Sequence, residues 1–305
     1  MSALIPKSRL ASVGLNRVAR LLLGLELSLL LLSFVLYPIL GLSFVWRTAW
    51  QVFLLPVALS LLWAYLARYP GRSEWDLAVA ERILALDIFC IVNLVQPQLQ
   101  YVALAFKRPL IDAWLVAADR LLHVNLVDWT AWTRGHALPL RILVISYSTF
   151  GAQLALPLVA LGIMGPRDRR ALWEYLFHLT LCITVTIALL GVFPASPPTT
   201  VYGVRPVIQQ ATVAKQIEQV RSGQLTTIDL TMLEGLISFP SFHVAGALIV
   251  TWAFRNKRWV FFPLLALNGC LVAATVLLGI HYGIDLIAGA VVFLFSLWVY
   301  RKARL

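Results

Sequence analysis

Charge is scarce in this chain. Asp, Glu, Lys and Arg make up 13% of its 305 residues, roughly half the share of a soluble domain, while 60% are hydrophobic. That balance excludes a water-soluble globule and indicates a multi-spanning membrane protein. Cysteine is almost missing too: Cys90, Cys182 and Cys270 all fall inside apolar runs, so neither a disulfide framework nor a cysteine metal site is expected. Acidic residues number 14 against 25 basic ones and form no cluster. With no acidic, cysteine or histidine ligand set, any pocket is expected to work without metal, and no cofactor is implied. Repeats and low-complexity tracts are absent as well.

What the chain has in quantity is apolar sequence in stretches of about 20 residues, the length that crosses roughly 30 Å of hydrocarbon. Eight such spans are expected: Leu27 to Trp46, Thr48 to Ala67, Ile83 to Phe106, Ile142 to Met164, Ala171 to Phe193, Phe239 to Phe254, Trp259 to Ile280 and Tyr282 to Tyr300. The first is longer than a signal-peptide core and has no small-residue cleavage site after it, so it reads as a span. The fold class is therefore all-α integral membrane protein.

The net charge of +11 invites a nucleic-acid reading, but the basic residues are dispersed over short loops. An eight-span topology collects on one side Lys7, Arg9, Arg17, Arg20, Arg68, Arg72, Arg82, Arg167, Arg169, Arg170, Arg255, Lys257, Arg258, Arg301, Lys302 and Arg304, sixteen of the 25. The positive-inside rule makes that side, with both termini, cytoplasmic. A plasma or bacterial inner membrane is expected, with membrane lipids as neighbours and no nucleic-acid partner; oligomeric state is not legible.

Residues 1–82 are expected to be a tail and an accessory hairpin, its two helices joined by little more than Arg47, and 83–305 the functional core. The third run holds Asp87, Asn93 and Gln96-Pro97-Gln98, a kinked helix facing protein or water; Asp87, near its cytoplasmic end, can snorkel. Residues 110–122 are amphipathic, with Leu110, Ile111, Trp114, Leu115, Leu121 and Leu122 on one face and Asp112, Asp119 and Arg120 on the other, a connector lying on the outer surface. A second outer loop covers 194–238, in which Gln209 to Gly223 can form a short helix.

Histidine is rare, five in all, and two of them stand where polar loops meet apolar runs: His243 in Pro240-Ser241-Phe242-His243, and His281 in His281-Tyr282-Gly283-Ile284-Asp285. By parity of spans both lie on the outer face. Asp285, one helical turn after His281, can hold one ring nitrogen as N–H and leave the other free to attack. Proline suits a helix start, where the next backbone N–H groups form an anion site, and Ser241 adds a hydroxyl. His243 beside a bound phosphate could protonate a leaving alcohol. His178 reads as a hydrogen-bonded core residue, and His123 and His136 have no motif partner.

These residues resemble the type-2 phosphatidic acid phosphatase superfamily of membrane lipid phosphatases and phosphotransferases, whose signatures are K-x6-R-P, P-S-G-H and S-R-x5-H-x3-D. Pro240 to His243 matches the second with Phe242 for glycine; His281 and Asp285 match the end of the third. The variants look most like the inositol phosphorylceramide synthase-like branch. The resemblance implies a six-helix core, His281 as the nucleophile of a phosphohistidine, Asp285 as its orienting acid and His243 as the general acid, with a phosphorylated lipid as substrate. Two departures stand out. No K-x6-R-P exists, and Ala274-Thr275 replace the S-R pair, so three cationic phosphate ligands are missing. Arg205 is the candidate substitute, and with Ser241 and Phe242 completes the expected substrate contacts. A lipid phosphatase is the leading expectation; a head-group phosphotransferase and a noncatalytic lipid-binding or transport protein are the alternatives.

Overall fold

A computed structural model describes residues 16–68, 73–163, 166–208 and 210–305. Lys7, Arg9, Arg72, Met164 and Gln209, used above, lie outside the described residues. The chain is helical nearly throughout. α1 (Arg17–Ile39) opens on an Asn16 cap whose side chain accepts the Ala19 N–H at 2.7 Å, and α2 (Trp46–Arg68) returns beside it. Arg47, expected as the link, lies inside α2; what joins the helices is a turn through Gly41, which takes the left-handed φ of +68° that glycine adopts at low cost, and a strand, β1 (Ser43–Phe44).

α3 (Glu74–Ala105) starts with a capping box in which Ser73 and Asp76 each satisfy the other's backbone N–H. The segment after α3 then folds as α4 (Asp112–Leu121) and α5 (Leu126–Gly135). The run expected as the fourth span is two helices, α6 (Ala137–Ser148) and α7 (Phe150–Ile163), bent by 50°. Hydroxyls crowd the break: Ser146 Oγ donates to the Ile142 carbonyl and Thr149 Oγ to that of Ser146. α8 (Pro166–Val192) follows, then the second long loop with α9 (Pro198–Val201), α10 (Gln210–Ser222) and β2 (Thr227–Ile228). β2 pairs in parallel with β1, Ser43 opposite Thr227 and Phe44 opposite Ile228, tying the N-terminal hairpin to that loop. α11 (Phe242–Ala253), α12 (Arg258–Leu277) and α13 (Gly283–Lys302) complete the chain.

Among the described residues five helices are long and apolar enough to cross a membrane, α1, α2, α8, α12 and α13, and the bent α6–α7 pair makes a sixth. Two expected spans fall outside that set. α11 has 12 residues, short of a full crossing. α3 has ample length, 32 residues, but places a row of amides in the interior. Gln96 Nε2 donates to Glu26 Oε1 at 2.7 Å and to Thr184 Oγ1 at 2.9 Å, and Gln100 Oε1 accepts the Leu236 N–H. Polar groups at this depth need protein partners, since lipid offers none. A further such pair, Ser60 Oγ to Asp87 Oδ2 at 2.6 Å, docks α2 on α3; Asp87 is buried rather than reaching toward water. α8 is the central post, packing on α3, α7, α11 and α13, while α11 also packs on α12 and α13.

Candidate active site at the N-terminal ends of α11 and α13

The turn from α12 to α13 is short and fully determined. Gly279 adopts φ +76°, and the Thr275 carbonyl then accepts the N–H groups of both Ile280 and His281 at 2.8 Å. Thr275 occupies a position where the resembling family carries a cation; here its main chain fixes the histidine. Asp285 Oδ2 accepts the Tyr282 N–H at 2.9 Å, half of a capping box that sets the first turn of α13. The same carboxylate oxygen lies 3.3 Å from His281 Nδ1, and the Ser238 carbonyl lies closer, at 2.7 Å. A carbonyl can only accept, so Nδ1 carries the proton and Nε2 of the neutral ring keeps its lone pair. Both His281 and Asp285 are buried.

His243, in the first turn of α11, presents Nδ1 to His281 Nε2 at 3.1 Å. Given the tautomer of His281, His243 is the donor. Tyr147 and Phe150, on either side of the α6–α7 bend, hold its ring with centroids at 4.8 Å each. α11 and α13 are locked together at this level: the Ser241 N–H donates to the Asp285 carbonyl at 3.2 Å, and Gly289 packs against the Ser241 carbonyl so closely that a Cβ would overlap it.

Two cavities meet at His243. One, of about 600 Å³, is lined by Tyr147, Pro197, Glu234, Ser238, His243 and Ile280 among others. The other, about 260 Å³, is walled by Phe89, Val92, Phe150, Leu154 and Phe242 with a few amides of α3. Gly235 and Ile237 line both. None of the residues lining the first is Lys or Arg; its charged wall is Glu234, whose backbone N–H donates to the Tyr101 hydroxyl at 3.2 Å.

Four residues of this region stand otherwise than the sequence suggests. Ser241 is not turned toward a ligand: it is fully buried and its Oγ caps α11 by accepting the Val244 N–H at 3.3 Å. Pro240 stands before that cap, not inside the first turn. Arg205 is exposed and lines neither cavity. Asp119, read as part of a connector's polar face, is fully buried and accepts the Ile284 N–H at 3.1 Å, completing the start of α13. Burial pushes its carboxyl above the usual carboxylate range despite the N–H groups it accepts. Asp112 accepts the Ser196 N–H at 2.7 Å and pins the second long loop.

Phe242 walls the apolar cavity. His178 is buried and shares a hydrogen bond with Ser296 Oγ at 3.0 Å. Contributors that motif reading passed over are Ser238, Tyr147, Phe150, Glu234 and Thr275; the run Ser146-Tyr147-Ser148-Thr149 inside an apolar stretch was the available signal for one of them, Tyr147. Among the described residues no group of three His, Cys, Asp or Glu is arranged to hold a metal ion.

The chain is an all-helical bundle with several candidate membrane spans, the class of a multi-pass membrane protein, and it carries a buried Asp–His pair and a second histidine where two helices start. A family model described as the PAP2 superfamily matches residues 113–299, from α4 into α13 and well over half of the chain. The chain belongs to the PAP2 superfamily. His243, His281 and Asp285 all lie inside the matched segment, and α1 to α3 lie outside it. Comparisons with curated proteins and with solved structures find no match.

Proposed function

We propose that the chain is a lipid-phosphate phosphatase working through a phosphohistidine on His281. The observation that carries this reading is the 3.1 Å contact of His243 Nδ1 with a His281 Nε2 whose opposite nitrogen is held by Ser238 and Asp285. Nε2 attacks phosphorus and forms the P–N bond; the bond from phosphorus to the lipid oxygen breaks, and His243 delivers its Nδ1 proton to that oxygen. Water then attacks the phosphohistidine, returns a proton to His243 and releases phosphate. Asp285 keeps the His281 ring oriented and stabilises its positive charge. The rings touch, so an incoming phosphoryl group has to part them. The backbone N–H groups of Phe242 and His243, with no acceptor among the described residues, are available to the phosphate oxygens at the helix start. The head group fits the 600 Å³ cavity and a lipid chain the apolar one.

The test is to trap the intermediate: purified protein mixed with a panel of radiolabelled lipid phosphates should acquire an acid-labile, alkali-stable label, and His281→Ala none. Failure to label with any of the panel would favour a noncatalytic lipid-binding or transport protein.

One observation favours head-group phosphotransfer as a second reading. A phosphomonoester dianion needs cations nearby, and the head-group cavity offers Glu234 instead. A phosphodiester bearing a neutral polyol, or an alcohol acceptor hydrogen-bonded to that carboxylate, suits it better. Labelled lipid incubated with and without candidate alcohols separates the readings: free phosphate marks a phosphatase, a new phosphodiester a transferase. Under transfer, Glu234→Gln should raise KM for the alcohol by roughly tenfold, the value of one charge-assisted hydrogen bond.

The reading also places the site at the outer face, with the termini cytoplasmic, in a plasma or bacterial inner membrane. What supports the orientation is the cluster of Arg169, Arg170, Arg255, Lys257, Arg258, Arg301 and Lys302 at the bundle end opposite the histidines.

A further inference from the structure

At that opposite end a separate cleft of about 370 Å³ opens between the first turns of α8 and the last turns of α11 and α13. Its walls carry three guanidinium groups, Arg170, Arg255 and Arg301, together with Asn256, Tyr300 and a single carboxylate, Glu174. The three arginines are not equivalent. Arg255 is fixed: Nη2 bonds Glu174 Oε2 at 2.8 Å, Nη1 bonds the Trp252 carbonyl at 3.0 Å, and its guanidinium lies 4.5 Å from the Trp252 ring centroid. Glu174 is committed as well, since Oε1 accepts the Trp252 indole N–H at 2.9 Å. Arg170 and Arg301 are exposed, and no carboxylate among the described residues lies within ion-pair distance of either.

Nearby charges are already matched, Lys257 with Asp168 at 2.9 Å and Arg169 with Glu81 at 2.8 Å. The cleft therefore holds two guanidiniums without a carboxylate partner around a rigid third, Arg170 resting on the Tyr300 phenol, at a concave site between candidate membrane helices. Its position relative to the bilayer is set by α13. That helix has 20 residues, so Arg301 lies about 30 Å from His281, one hydrocarbon thickness away.

We propose that this cleft is a second phosphate-binding site, distinct from the histidine site, which takes the phosphate of an anionic lipid head group or free phosphate through Arg170 and Arg301. Guanidinium forks match the planar pairs of oxygens that a phosphate presents, and basic pockets between transmembrane helices on the cytoplasmic side hold anionic head groups in this way. The two exposed arginines sit on different helices, α8 and α13. A bound phosphate would bridge them and brace the post and the last helix at the end remote from the histidines.

The experiment uses the full chain in detergent, carrying His281→Ala so that turnover does not consume the probe. Binding of phosphatidylglycerol, phosphatidylcholine and inorganic phosphate is followed by retained lipid in native mass spectrometry and by the unfolding midpoint. Phosphatidylglycerol should bind in preference to phosphatidylcholine. Adding Arg170→Gln and Arg301→Gln together should weaken phosphatidylglycerol roughly thirtyfold, as expected for two arginines near a membrane surface, and Arg170→Lys with Arg301→Lys, which keep the charge without the fork, should restore only part of it.

Displacement of the lipid by millimolar inorganic phosphate marks a site for the ion itself; displacement only by a second anionic lipid marks a head-group site. Equal binding of phosphatidylglycerol to the Gln pair and to its parent overturns the proposal. Should the Gln pair fail to fold, equal affinity of the parent for the two lipids overturns it alone. None of these readouts depends on catalysis, so loss of the phosphohistidine reading leaves the test intact.

Discussion

The two ends of α8, α11 and α13 divide the polar chemistry of the molecule between them. The end where α11 and α13 begin holds His281 and Asp285, both buried, in hydrogen-bonding reach of a half-buried His243, and no Lys or Arg lines the 600 Å³ cavity beside them. The end where those helices finish gathers Arg170, Arg255 and Arg301 around one carboxylate. The acid–base end is built largely by the main chain: the carbonyls of Ser238 and Thr275 and the N–H groups of Tyr282 and Ile284 set His281 and the carboxylates of Asp285 and Asp119, while the Tyr147 and Phe150 rings hold His243. The cationic end is built by side chains, two of its arginines without a carboxylate partner. Chemistry that depends on one tautomer needs the first kind of construction, while capture of a phosphate needs only charge within reach. Each helix thus carries different tasks at its two ends.

The sharpest way to test that division is to remove one end. His281→Ala should lower turnover by roughly a thousandfold or more and lower the unfolding midpoint by only about 5 °C, the cost of leaving the buried Ser238 carbonyl and Asp285 without their donor, so the loss of activity far exceeds any loss of folded protein. Asp285→Asn, which keeps the size but weakens the hold on Nδ1, should cost somewhat less, on the order of a hundredfold or more in kcat. Full activity of His281→Ala on every substrate that the wild type turns over would sink the mechanism and leave the cationic end without a counterpart.

A smaller effect probes how the acid–base end is held together. Gly289 lets α13 approach the α11 cap, where a Cβ would overlap the Ser241 carbonyl oxygen; Gly269, on α12, has nothing within 4 Å of its Cβ position. Gly289→Ala should therefore destabilise by about 1–3 kcal/mol and reduce kcat as the two histidines separate, while Gly269→Ala should change neither. Equal behaviour of the two variants would show that the close approach of α11 and α13 does not set the site.

Much of this could be read from the chain, and the failures have identifiable physics. Apolar runs of membrane-crossing length are an intrinsic property of the sequence, so the helical class and most of the helices were legible. The i, i+4 spacing of His281 and Asp285, and the start of α11 just after Pro240, put the relay on paper before any coordinates. What could not be read is whatever depends on a partner from another element. Ser241 looked like a ligand and is a cap, because Val244 N–H takes its oxygen. Asp119 looked like a solvated acid and is buried, because the start of α13 lies beneath α4 and offers it the Ile284 N–H. The α6–α7 bend was hidden by averaging over a long apolar run, although its hydroxyls were in view. Nor does any spacing rule announce that residues near 170, 255 and 301 converge; only the packing of α8, α11 and α13 brings them together.

The smallest expected effect concerns Asp119, which supports the relay without touching it. Its carboxyl is raised by burial, so the folded protein holds a proton there at a pH where the unfolded chain has released it. Its contribution to stability is then greatest below the ordinary carboxylate pKa, declines as pH rises through the raised value, and is constant above it. Asp119→Asn retains an oxygen for the Ile284 N–H and cannot ionise. The variant should thus lose that part of the pH dependence, melt at or slightly above the wild-type temperature at neutral pH, and keep kcat within about twofold, since the start of α13 stays capped. Thermal melts of both proteins from pH 4 to 8 supply the check. If the wild type instead gains stability relative to Asp119→Asn as pH rises, the ionised carboxylate is the favoured partner of the helix start, and the acid–base end owes part of its order to charge after all, as the cationic end does.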